Sequence, residues 1–243
     1  MMSASFDHAT APTDAGGPLP RHLPGFFSMR YSTRGLVLSA LLGFSICGDL
    51  RAGDFVSLFD GKSLDNWQRI AQKKDIWSVQ DGLLVMGGEG GGWLATPKDY
   101  ADFEFSLEFL LSSDSNSGVY LRAPADTSHI SRSGMEIQIL DDFHPKYAKV
   151  QPWQRTGSIY HVAAAKTGHL KPAGEWNEMK IKAVGPHVTI SLNGVTIVDD
   201  MIDKHPELNA EHTGLARKSG RIGLQSHNGV VKFRNVRVRE LGD

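Results

Sequence analysis

Cysteine is almost missing from this chain: Cys47 is the single one in 243 residues, which excludes a disulfide scaffold. An excess of charge is missing too. With 26 Lys and Arg against 27 Asp and Glu, the formal net charge is −1, so the basic surplus needed to neutralise a nucleic-acid backbone is not there. No apolar run approaches the roughly 20 residues of a membrane-spanning helix. Neither a Gly-x-Ser-x-Gly elbow nor a His-Glu-x-x-His pair occurs, so nothing points to a serine hydrolase or a zincin. The Gly-Gly-Glu-Gly-Gly-Gly of residues 87–92 lacks the spacing of a dinucleotide fingerprint, and no helical pattern follows it. It reads as a flexible loop, and a dinucleotide is not an expected ligand.

What is there begins with an address. Residues 1–28 carry no apolar period and read as disordered or as a start called too early. Arg30 and Arg34 then precede an apolar run over residues 36–47 that ends near Ala52, the layout of a secretory signal over residues 29–52. Cleavage after Ala52 would leave residues 53–243 as one cysteine-free domain in the periplasm or outside the cell. An N-terminal membrane anchor is the alternative reading. Oligomeric state is not legible.

The remaining chain, 40% hydrophobic over its whole length, reads as strands. Residues 103–109 (Phe-Glu-Phe-Ser-Leu-Glu-Phe) alternate apolar and polar side chains, the period of a half-buried strand. Residues 187–192 and 195–198 flank Asn193-Gly194, a pair that tolerates positive φ and closes a two-residue hairpin. Further short strands are expected at 75–79, 83–86, 93–95, 118–122, 135–140, 158–161, 178–183, 221–225 and 230–239. In the last, Val231 and Phe233 share one phase and Val236 and Val238 the other, which predicts a β-bulge near Arg234-Asn235. Residues 203–215 are the best candidate for helix or loop. A dozen short strands at this spacing indicate an all-β sandwich or jelly roll of two antiparallel sheets.

Alternation also sorts side chains by face. If Met135, Ile137 and Ile139 point to a core, Glu136 and Gln138 point away from it; Val119 and Leu121 leave Tyr120 and Arg122; Ile159 leaves Ser158 and Tyr160; Ile222 and Leu224 leave Gln225 and His227. Were these strands neighbours, one sheet would gather Arg, Glu, Gln, Tyr and His; otherwise each is an ordinary solvated face. His144, His161 and His227 could meet around a divalent metal, although no ligand spacing requires one. Of the five tryptophans, most belong to the core and one or two could stack on a sugar.

Several segments resemble, in order, the 3-keto-disaccharide hydrolase family. They include Leu58-Phe59-Asp60-Gly61-Lys62-Ser63-Leu64-Asp65-Asn66-Trp67, Asn116-Ser117-Gly118-Val119-Tyr120-Leu121-Arg122 and Glu136-Ile137-Gln138-Ile139-Leu140-Asp141. Thr156-Gly157-Ser158-Ile159-Tyr160, Gly174-Glu175-Trp176-Asn177 and Ile222-Gly223-Leu224-Gln225-Ser226-His227 continue the series. The resemblance implies a concanavalin-A-like jelly roll, export, and action on glycosides already oxidised to a ketone at C3. Members of this family are described as hydrolases, 1,2-lyases or hydratases of such sugars.

A C3 ketone acidifies the C2 proton, so a base can remove it, the C1 substituent leaves by β-elimination, and water adds afterwards. That chemistry needs a base, an acid and an enolate stabiliser. On the matched positions the candidates are His227 or Glu136 as base, Tyr160 as acid, and Arg122 or a metal at the enolate. Asn116, Gln138, Asp141, Glu175, Trp176 and Gln225 are candidates for binding the sugar. No cofactor is required by this reading. A competing reading is a non-catalytic, lectin-like carbohydrate-binding module, and a third is a structural domain in which Arg122, Glu136, Tyr160 and His227 do not converge.

Overall fold

The computed structural model describes residues 53–72, 74–126 and 130–242. The expected signal layout over residues 29–52 lies outside them. Thirteen strands follow in chain order: β1 (Val56–Ser57), β2 (Gln68–Ile70), β3 (Trp77–Gln80), β4 (Leu83–Gly87), β5 (Trp93–Ala95), β6 (Phe103–Leu111) and β7 (Asn116–Ala123). Then come β8 (Met135–Leu140), β9 (Trp176–Val184), β10 (His187–Leu192), β11 (Val195–Met201), β12 (Arg221–Gln225) and β13 (Val230–Glu240). One sheet has eight strands, ordered β11-β10-β9-β6-β13-β4-β3 with β1 also on β13; the other has five, ordered β2-β5-β12-β7-β8. All pairings are antiparallel. This is the jelly-roll sandwich that the strand spacing implies.

The two sheets close on one core because their inward positions alternate with polar ones. From β6, Phe103, Phe105, Leu107, Phe109 and Leu111 pack with Met179, Ile181, Phe233 and Val238 of the same sheet and with Val119, Leu121, Ile137, Ile139 and Leu224 of the other. Burial of this kind is the main favourable term in folding.

Local signals explain the turns. Asn193 and Gly194 have φ of 50° and 84°, the doubly positive pair of a tight hairpin. The predicted bulge is present: the register of β13 on β6 shifts between Arg234 and Arg237, and Asn235 sits at φ 52°. Its phase change lets Val231, Phe233, Val236 and Val238 all reach the core. Residues 203–215 form no α-helix; Pro206 and the surrounding chain settle into short 3-10 turns at Ile202–Lys204, Pro206–Leu208 and Thr213–Ala216. Residues 158–161 form no full strand either. Ile159 instead makes isolated bridges to Ile137 and Ala163, which lays this segment along the open edge of β8.

Candidate functional site

The outer face of the five-stranded sheet carries the chemistry. Register places Tyr120 opposite Glu136 on β8 and opposite Gly223 on β12, with Gln225 opposite Trp93 on β5. These side chains therefore share the face that the core does not use. The Gln225 amide, its Nε2 donating, bonds both the Tyr120 hydroxyl and Glu136 Oε1, each at 2.8 Å. Trp93 meets Tyr120 edge to face at 5.6 Å between centroids. Two glycines make the room. A Cβ at Gly118 would lie 3.0 Å from Glu136 Oε1, and one at Gly223 only 2.2 Å from the Trp93 ring.

Glu136 is 3% exposed, and no cation among the described residues acts on it. Trp93, Ala95, Tyr120, Ala123 and Ile130 form a small apolar cluster of their own on this layer. Burial there pushes the Glu136 carboxyl up to about 8, only partly offset by the bond from Gln225, so the group is mostly neutral at pH 7. Burial also drives the Tyr120 phenol well above its usual range, helped by the neighbouring carboxyl. The resting site is a carboxyl, an amide and a phenol in one bonded row.

A wall of aromatic side chains stands at the next rung. Tyr160 N–H donates to the Glu136 carbonyl at 2.8 Å, Gln138 N–H to Ser158 O at 3.0 Å, and Gly157 N–H to Gln138 O at 2.8 Å. This pairing carries Tyr160 to the position beside Glu136. Its ring is edge-on to Trp153 at 4.9 Å, His161 stacks on Trp153 at 3.8 Å, and the Gln154 amide donates to the Tyr160 hydroxyl at 3.3 Å. His161 holds φ 63°, a conformation an L-residue keeps only when its surroundings enforce it.

His227 lies where β12 has ended, exposed, in a cleft of about 440 Å³ with Lys74, Glu89, Gly90, Gly91, Lys146 and Asn228. Its Nδ1 is 3.1 Å from Asn228 Oδ1. The cleft is fastened at Asp114: its carbonyl accepts from Asn228 Nδ2 at 2.6 Å, its carboxylate pairs with Lys146 at 2.9 Å, and its N–H donates to Asp141 Oδ2 at 3.1 Å. Asn116, bridged to Asn228 through backbone bonds in both directions, begins β7 on the site face.

Not every expected residue joins this row. Arg122 was to stand beside Tyr120, but β7 bulges where it pairs with β12, and Arg122 takes φ 47°. Its side chain turns to the end of the sandwich, bonding Ala101 O, Gly185 O and Asp102 Oδ1. It does not converge with Glu136. Glu175 and Trp176 lie at the start of β9 in the other sheet, Glu175 exposed and Trp176 under the Arg234 guanidinium at 4.1 Å. Asp141 spends its carboxylate on the loop backbone. Gln138 is on the right face, with its own carbonyl oxygen accepting from Ile139 N–H at 3.1 Å. Alternation named Tyr120 as outward-facing but gave it no role. The sequence offers His161 only as a metal ligand, and Trp93 and Trp153 only among five tryptophans of which one or two could stack on a sugar. Their place beside Glu136 is not legible there, because their neighbours come from distant strands and loops.

The three histidines considered for a metal are apart in their contacts: His144 is beside Asp114 and Tyr147, His161 on Trp153, His227 on Asn228. Among the described residues no group of three or more His, Cys, Asp or Glu could hold a metal ion.

Fold and site together define a class: a jelly-roll sandwich carrying a sealed carboxyl and a wall of aromatic side chains on the outer face of its smaller sheet. Residues 54–239 match the model of the 3-keto-α-glucoside-1,2-lyase-like domain, and the chain belongs to that family. A Bacteroides thetaiotaomicron protein named 3-keto-disaccharide hydrolase is 29% identical over 232 residues, covering 78% of this chain and 79% of the relative. A crystal structure from Parabacteroides distasonis, provisionally described as a glycosyl hydrolase, is 31% identical with a TM-score of 0.67, covering 78% of this chain and 100% of that one. A Bacillus subtilis protein of galectin-like fold, at 18% identity and TM-score 0.57, covers 78% and 96% and shares the fold.

Proposed function

We propose that this protein is an exported enzyme that cleaves 3-keto-glycosides by removing the C2 proton. The observation that carries the reading is Glu136: a family member's outward-facing carboxyl, shut away from water and bonded to Gln225 on the side shared with Tyr120. A solvated polar face needs no such burial, and a carboxyl held near 8 is a strong base once ionised.

In the proposed reaction the Glu136 carboxylate takes the C2 proton, and the electron pair forms the enolate of the C3 ketone. Collapse of the enolate forms the C1–C2 double bond and breaks the C1–O bond, and the leaving oxygen takes a proton from Tyr160. Water then adds to the resulting glycal, its hydroxyl at C1 and a proton at C2. Trp153 and His161 support the sugar or its aglycone, while His227 lines the cleft and Asn116 is tied to Asn228 of that cleft through backbone bonds. Arg122 has no part at the enolate. That charge falls to a hydrogen-bond donor of the site face.

Incubating the purified protein with a 3-keto-glucoside and with its unoxidised parent, each with and without a divalent cation, tests the reading. Aglycone release from the keto sugar alone is expected. Sugar binding without release would favour the lectin-like module instead. Export is expected to give a mature N-terminus near residue 53, read by N-terminal sequencing of protein from the periplasm or medium; a retained apolar segment there would mean an anchor.

A further inference from the structure

A second cavity, of about 560 Å³, opens at the end of the sandwich to which Arg122 is drawn. Its size is within the range of small-molecule sites. Pro186, Ile202 and Leu215 give it apolar walls, with Ile202 1% and Leu215 7% exposed. Five charged residues line it: Arg122, Arg217 and Lys218 against Asp102 and Asp203. Asp102 is already committed, accepting from Arg122 Nη2 at 3.1 Å and from Gly185 N–H at 2.8 Å. Arg217 Nε donates to the Arg122 carbonyl at 2.7 Å, and Arg217 lines the cavity.

Arg122 is the unusual member. It is 2% exposed, yet among the described residues its bonds use three of five N–H donors. A buried guanidinium is costly unless its donors are met, and the fork of an arginine fits a carboxylate with two parallel bonds. Apolar walls favour a hydrocarbon body on the same molecule.

We infer that this cavity binds a small monocarboxylate with an apolar body, its carboxylate between Arg122, Arg217 and Lys218. The site is separate from Glu136 and does not rest on the proposed reaction.

Titration of the protein with 3-phenylpropionate, followed by ¹H–¹⁵N NMR, tests the inference. Saturable shifts are expected at the amides of Ile202, Leu215 and Arg122, with 3-phenylpropanamide binding at least about tenfold more weakly because it lacks the charge. Arg217→Ala combined with Lys218→Ala changes only partly or fully exposed side chains and should weaken the acid by at least about tenfold. Inorganic phosphate, the probe for bare anion binding, should be the weaker ligand. The inference is overturned if the acid gives no saturable shifts at these amides, if the amide or phosphate binds as tightly, or if the double variant binds unchanged.

Discussion

Glu136 concentrates the account at the residue scale. The fold keeps a carboxyl where water cannot stabilise its charge, and among the described residues its bonded partner is the Gln225 amide. Glu136→Gln is expected to lower turnover of a 3-keto-glucoside by roughly two to four orders of magnitude. In the wild type, kcat/KM should rise with pH through about 8 as the base of the free enzyme ionises. A profile that falls over that range would assign Glu136 the acid role instead. The same group makes a stability prediction. Its folded value is raised above the ordinary 4.5, so the stability it lends is whole below 4.5 and is lost as pH climbs through about 8. Between pH 5 and 9 the wild type should therefore lose on the order of a few kcal/mol from this group, and Glu136→Gln should lose less. Urea titrations at the two pH values measure it; parallel losses in both proteins would contradict the burial argument. Glu136, Gln138, Tyr120 and Gln225 were all legible from alternation because their strands are regular at those positions. Arg122 was not, since its turn away depends on a register shift against β12, about a hundred residues along the chain.

At the scale of elements, bulges and edges decide what regular strands cannot. The β13 bulge could be read from a phase change within one strand, whereas the β7 bulge shows only once its partner is known. The segment 158–161 illustrates a related limit. Its polarity pattern is that of a strand, but it pairs only briefly with β8, and that brief pairing sets Tyr160 beside Glu136. Glu175 and Trp176 belong to a matching motif, yet a motif does not say which sheet will hold it. The hairpin at Asn193 is the best-signalled element and makes its own prediction. Asn193 holds φ 50°, donates to His169 O at 2.7 Å and Asn177 Oδ1 at 2.8 Å, and accepts from Glu178 N–H at 2.9 Å. Asn193→Ala should cost about 1–3 kcal/mol, seen as a lower urea midpoint with an unchanged slope. An unshifted midpoint would mean that these bonds are replaced by water without loss.

For the whole molecule, the eight-stranded sheet provides the larger wall of one core, and the five-stranded sheet is left free to present polar chemistry on its far side. A sandwich of this kind serves sugar binders as well as enzymes, so the architecture alone does not choose between them. The proposed role of the sealed carboxyl as a base at C2 of a sugar is what separates the two readings by experiment. The direct measurement uses a 3-keto-glucoside deuterated at C2, compared with the undeuterated sugar in wild-type protein and in Glu136→Gln. Proton abstraction predicts slower aglycone release from the deuterated sugar, loss of the label to solvent during turnover by the wild type, and loss of both effects with turnover in the variant. Aglycone release that leaves deuterium at C2 of the product, at the same rate as the undeuterated sugar, would contradict the account and point to direct attack at C1.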